Sequence, residues 1–155
     1  MQKKLYYLIV LLFLSGCGFE AIYSKKNLVD FDFSINNLVF EGDRKINIKV
    51  KQKLFSYKKK ESLKSYDLII NSVVFKTISA KDAQGDPSIF QLDIEIKANI
   101  NDLKNDYSEM INFNKKFKYK NNENKIDLKN YEDEIKESAA ESLVRELILK
   151  LAQAR

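Results

Sequence analysis

The 155-residue chain contains no histidine, no tryptophan, one cysteine, one proline and four glycines. Without histidine there is no ordinary general base near neutral pH. The serine and cysteine dyads that depend on one are absent too, as is the commonest zinc ligand. One cysteine makes an intramolecular disulfide or a cysteine-rich metal site impossible. The glycines at 16, 18, 42 and 85 are too scattered to build a phosphate-cradling loop. The 22 carboxylates include no alternating Asp loop ending in Gly of the kind that holds calcium. A glycosidase asks only for two well-placed carboxylates, yet no spacing here points to a pair. The expectation is a protein that is not an enzyme and carries no metal.

What the chain does have begins at its first residue. Met1-Gln2-Lys3-Lys4 is short and positively charged, and Leu5 to Leu14 is an uncharged apolar run. Such a run matches the roughly 7–15 residues of a signal-peptide core and falls short of the ~20 that span a bilayer as a helix. The two lysines hold the segment's start on the cytoplasmic side. Leu14-Ser15-Gly16-Cys17 follows, and it resembles the bacterial lipobox, in which small residues let a signal peptidase cut just before the cysteine. The reading is a signal peptide over residues 1–16, a lipid-bearing Cys17 and a linker over 17–33. Acyl chains contribute ~0.8 kcal/mol per buried CH₂, so several of them anchor a protein without a transmembrane helix. No cofactor is expected beyond that covalent lipid. Gly18, where an Asp would favour inner-membrane retention in many Gram-negative bacteria, is compatible with the outer membrane.

Residues 17–155 leave room for one domain with a real core. The formal charge of +5 includes Lys3 and Lys4, so the remainder carries about +3. Arg44, Lys45, Lys49, Lys51, Lys53, Lys58, Lys59, Lys60 and Lys64 cluster against one acid, Glu61. Two readings stand: a surface for anionic headgroups or a phosphorylated glycolipid, or an ordinary solvated face. Nucleic acid is excluded as a partner by export and tethering.

Hydrophobic periodicity gives the architecture. Ser34–Phe40 reads as a strand ended by Glu41-Gly42-Asp43. The next stretch is even between two structures: Ile46, Ile48 and Val50 alternate like a strand, while Ile46, Val50 and Leu54 recur at helical spacing. Tyr66–Ile78 is rich in β-branched and aromatic residues, and Ala83-Gln84-Gly85-Asp86-Pro87 is turn chemistry. Phe90, Leu92, Ile94, Ile96, Ala98 and Ile100 alternate with polar residues, predicting a strand with one buried and one wet face. Ile111, Phe113, Phe117 and Tyr119 continue that apolar face, interrupted by Lys115. From about Leu128 the period becomes 3.6, with Tyr131, Ile135, Ala139, Leu143, Leu147 and Leu151 on one stripe. The expected fold is α+β: an antiparallel sheet of about four strands, with two helices packed on one face, in a single domain over 34–155.

The stretch Cys17-Gly18-Phe19-Glu20-Ala21-Ile22-Tyr23 resembles the Cys-Gly-Phe-x-Pro-Leu-Tyr opening of the α-proteobacterial LptE family, lipopolysaccharide-assembly lipoproteins, with Ala21 in place of the proline. The order strand, helix, three strands, helix fits that family as well. So does the spacing from Gly85 to Phe90. The resemblance implies a helix over about 43–57. It also implies an outer-membrane, periplasm-facing lipoprotein that partners and plugs the LptD β-barrel, assisting its assembly and the insertion of lipopolysaccharide. Some members carry a basic residue just before the turn glycine. Ala83 stands there in this chain, and Lys81 is the nearest substitute as a lipid A phosphate contact. The competing expectations are a generic envelope adaptor, an amphiphile-binding module and a structural tether.

Overall fold

Asp43 decides the stretch that periodicity left even. Its carboxylate accepts hydrogen bonds from the backbone N–H groups of Lys45 at 2.9 Å and Ile46 at 3.1 Å. That is an N-cap, which satisfies donors that a helix's first turn otherwise leaves open. The helix α1 runs Arg44–Leu54, continues as a short 3₁₀ turn over Phe55–Tyr57, and buries Ile46, Val50 and Leu54. In this computed structural model the described residues are 32–58 and 61–153.

Before α1 lies β1 (Phe33–Gly42). After it come β2 (Lys64–Lys81), β3 (Pro87–Asp102), β4 (Tyr107–Lys120) and α2 (Lys125–Gln153). The four strands form one sheet in the order β1-β2-β3-β4. β2, β3 and β4 are an antiparallel meander, whereas β1 pairs β2 in parallel, from Phe33 opposite Lys64 to Gly42 opposite Ser72. The sheet is thus mostly antiparallel, as expected, and the β1–β2 pair alone is parallel. A helix between the first two strands returns the chain to its starting end, and a parallel pair is what such a crossover makes.

The α+β class and the two helices on one sheet face stand. Leu92, Ile94, Ile96, Ala98 and Ile100 of β3 are buried, as their alternation requires. Leu68 and Ile70 of β2 extend that face, and Ala139, Leu143 and Leu147 of α2 close over it. Small side chains such as Ala98, Ala139 and Ala140 let the helix approach the sheet closely. One member of the expected stripe differs: Tyr131 is 51% exposed and meets Tyr119 only edge-on. Leu128 takes the core position one turn earlier. Residues 1–16, Cys17 and the linker as far as residue 31 lie outside the described residues, while Phe33 opens β1 fully buried.

Candidate functional site

The helices cover one face of the sheet; among the described residues nothing covers the other. On that bare face β3 presents Gln91, Asp93, Glu95, Lys97, Asn99 and Asn101, and β4 presents Ser108, Asn112, Asn114, Lys116 and Lys118. These groups bond across the strands. Ser108 donates to Asn101 Oδ1 at 2.7 Å, Asn112 donates to Glu95, and Asn71 of β2 donates to Glu41 of β1 at 3.1 Å. The β1–β2 side is more apolar: Val39 lies opposite Ile69, and Phe75 is 55% exposed. The face is therefore amide- and charge-rich, with an apolar ridge along β2 and Met110 exposed on β4, an arrangement suited to a polar partner surface.

The β2–β3 hairpin carries Lys81 at its far end. Lys81 pairs with Pro87, and the turn beyond is built on Asp82, whose carboxylate accepts from the N–H groups of Gln84 at 3.0 Å and Asp86 at 2.8 Å. Gly85 supplies the positive φ of 91° that closes the turn. Lys81 is exposed and has no hydrogen bond or ion pair with another described residue. The structure thus puts it at a solvent-facing tip beside Asp82 and Asp86, and Lys125 reaches Asn121, whose side chain donates to the carbonyl of Pro87, the residue paired with Lys81.

Three members of the basic cluster read from the sequence meet acids on α2, and a fourth, Lys64, donates to the Ala152 carbonyl at 3.0 Å. Lys45 pairs with Asp133, Lys49 with Glu137 at 3.3 Å and Glu141 at 3.4 Å, and Lys53 with Glu141 at 3.3 Å. Lys45–Asp133, Lys49–Glu137 and Lys53–Glu141 share one separation of 88 residues, so the two helices run parallel in register. Lys136 adds a 3.0 Å bond to Asp43. Burial alone would push the Asp43 carboxyl up, but bonds from Ile46, Lys136 and Lys45 outweigh it and hold the group below the usual carboxylate range. Exposed pairs contribute little stability, so the seam sets helix alignment more than it adds strength. The signal was present in the sequence as two matching every-fourth ladders, Lys45-Lys49-Lys53 and Asp133-Glu137-Glu141.

Two polar features escaped the sequence reading because each is assembled from separate segments. Near the start of α2, Glu132 accepts from Tyr119 Oη at 2.7 Å and from Lys76 Nζ at 2.6 Å, while Lys76 stands 4.1 Å over the Phe90 ring. Burial, then Glu132, pushes the Tyr119 phenol above its ordinary value. At the opposite end a cleft of about 400 Å³ is lined by Tyr66, Ile100, Asp102, Tyr107, Glu109, Lys150, Leu151 and Gln153. Tyr66 donates there to the Leu151 carbonyl at 3.2 Å. Asp102 is bound to the Asn105 side chain at 2.8 Å and to two turn N–H groups. Among the described residues no three Asp, Glu or Cys side chains converge as a metal site, and no helix is long and apolar enough to cross a membrane.

A mixed four-stranded sheet with two parallel helices on one face, and the other face bare among the described residues, is a two-layer α+β fold shared with solved structures of proteins described as lipoproteins. Rare lipoprotein B from Shewanella oneidensis matches with a TM-score of 0.54 at 11% identity, over 74% of this chain and 96% of that one. The minor lipoprotein of Acinetobacter baumannii gives 0.52 at 12% identity, over 77% and 94%. A candidate lipoprotein from Caulobacter crescentus CB15 gives 0.50 at 15% identity, over 76% and 87%. No protein-family model and no curated protein matches the sequence.

Proposed function

We propose that this chain is a lipid-anchored outer-membrane lipoprotein of LptE type. It sits on the periplasmic side and occupies the lumen of an LptD-like β-barrel, assisting the barrel's assembly and the passage of lipopolysaccharide to the outer leaflet. The observation that carries this reading is the bare sheet face. A sheet of this width with one uncovered surface of amides and paired charges is a poor water-only surface, given the apolar ridge of Ile69, Val73 and Phe75 beside it. A polar barrel lumen offers amides, hydroxyls and charges to match it. The lipobox-like Leu14-Ser15-Gly16-Cys17, the Cys-Gly-Phe opening and the fold shared with rare and minor lipoproteins support the same reading. Within it, Cys17 bears the lipid, and Lys81, at the hairpin tip, contacts a phosphate of the glycolipid.

Affinity purification of the membrane-extracted, lipidated protein tests the proposal. One large outer-membrane β-barrel recovered in near-equal amounts is the expected result. Its absence, or recovery with inner-membrane proteins only, overturns the plug and leaves an envelope adaptor. Lys81→Ala in the same complex is expected to weaken retention of lipopolysaccharide while leaving the barrel bound.

A further inference from the structure

The two ends of the domain differ, and the difference is aligned with the chain's path. Phe33, the first residue of β1, is opposite Lys64 in the parallel pair and stacks on Tyr57 at 4.5 Å. Asp102 pairs with both Tyr66 and Tyr107, and the N–H of Leu103 bonds the Ser65 carbonyl at 3.1 Å. The start of β1, the end of α1, the start of β2 and the β3–β4 turn therefore share one end. Four large apolar side chains are exposed at that end: Phe55 at 64%, Leu63 at 76%, Leu103 at 51% and Tyr107 at 56%. Lys58 and Lys104 flank them, with Glu61 and Asp106 exposed beside them. The far end carries the acidic Asp82–Asp86 turn, with only Ile78 at 50% and Ile126 at 72% as exposed large aliphatic side chains near it.

We propose that this apolar, lysine-flanked end rests on the phospholipid surface when the lipidated protein stands on a membrane without a barrel partner. The proposal relies on Cys17 as the lipid-bearing residue. Fifteen residues, 18–32, lie between that anchor and β1, a length that even at full extension keeps the Phe33 end within about 55 Å of the headgroups. A tether of that length raises the effective concentration of this end, and not the Asp82 end, at the lipid surface. Leucine and phenylalanine side chains insert at the acyl boundary, tyrosine sits at the headgroup level, and lysines reach anionic headgroups. Four such residues gathered at one pole differ from the singly scattered apolar residues of an ordinary protein surface.

The test uses the mature lipidated protein on vesicles of phosphatidylethanolamine and phosphatidylglycerol. A polarity-sensitive fluorophore is placed on Leu103→Cys or, as control, on Gln84→Cys in the far turn; Cys17 is consumed by lipid and takes no label. Leu103 lies in an exposed turn, so the change leaves the fold intact. The expected result is a blue-shifted emission at position 103, quenched several-fold more by brominated acyl chains than at position 84, and a smaller shift on neutral phosphatidylcholine vesicles. Equal, water-like emission at both positions on protein that co-floats with the vesicles overturns the proposal while keeping the anchor. Protein that fails to float overturns both. Energy transfer between labelled copies that rises with protein density at fixed lipid assigns the end to self-association instead, and overturns the lipid contact.

Discussion

The carbonyl oxygen of Ser72 lies 1.9 Å from where a Cβ on Gly42 would stand. Gly42 also holds a φ of 91°, and it ends β1 just where Asp43 donates its N–H to that same Ser72 carbonyl at 3.0 Å. The strand, the crossover and the N-cap of α1 thus meet at one residue that only glycine fits.

Gly42→Ala is therefore expected to cost roughly 3 kcal/mol, from left-handed strain plus a clash against backbone that has no freedom to move. Gly85 is the internal control, since its φ is also 91° but nothing lies within 4 Å of an added Cβ. Gly85→Ala is expected to cost about 1 kcal/mol, from strain alone. Urea unfolding of the two variants under one set of conditions gives the comparison, and equal costs would show that the Ser72 contact is not what makes Gly42 necessary.

Asp43 caps α1 and also binds Lys136, so it joins the two helices. Asp43→Ala should lose about 1–2 kcal/mol at pH 7. The sign of the pH dependence follows from a folded-state carboxyl held below its ordinary value. Its stabilising contribution is present above the unfolded carboxylate range near pH ~4 and disappears as pH falls through the folded-state value. The gap in denaturation midpoint between wild type and Asp43→Ala should accordingly shrink from pH 7 to pH 3. A gap that stays constant would mean the cap works without its charge.

Tyr119 behaves in the opposite sense. Its phenol donates to Glu132, and burial with that carboxylate nearby holds it protonated past its ordinary value. The stability it lends is complete below pH ~10, where the unfolded tyrosine begins to ionise, and is lost as pH rises toward the folded value. Tyr119→Phe is expected to cost about 1 kcal/mol at pH 8, because Glu132 keeps Lys76 as a partner. The variant should lose less stability than wild type between pH 8 and pH 11. Spectrophotometric titration at 295 nm should show two late-ionising tyrosines, Tyr66 and Tyr119, both raised first by burial, of which the variant keeps only Tyr66.

Much of this fold can be read from single segments, and the reasons for the exceptions are physical. β3 and α2 each bury one face, so their apolar residues recur at a single period, and the core side chains Leu92–Ile100 and Ile135–Leu151 follow from spacing. Residues 43–57 fit two periods at once because Ile46 and Val50 belong to both patterns; only the ladder of acids 88 residues away on α2 and the Asp43 cap select the helix. Parallel pairing of β1 with β2 depends on that choice, so it stayed hidden with it. Strand ends also ran further than their apolar cores, since a backbone ladder continues through Lys81 or Tyr107 whatever the side chain. As for the site, Lys81 is found at a tip, as its distance from Gly85 suggests. The bare face was legible as the wet side of β3. The cleft around Tyr66, Asp102 and Tyr107 was not legible, because the ends of three strands and of a helix build it together.

Lys115 offers a test of what an edge strand requires. It points to the helix side of β4, between Phe113 and Phe117, and reaches along α2 to Ser142 and to Glu146 at 3.3 Å. Its side chain is only 33% exposed, so its stem lies on apolar surface while the ammonium meets the helix's polar flank. Lys115→Leu completes the stripe Ile111-Phe113-Phe117-Tyr119 and exchanges a partly exposed ion pair for more apolar contact, which should change stability by less than about 1 kcal/mol. β4 is the last strand of the sheet, however, and its outer N–H and C=O groups have no strand partner among the described residues. A charged side chain on such an edge disfavours pairing with a second molecule. The variant is therefore expected to melt within a few degrees of wild type yet to self-associate at lower concentration, seen as a growing dimer or larger species by sedimentation. A variant that stays monomeric at the wild-type limit would show that Lys116, Lys118 and Lys120 guard the edge without it.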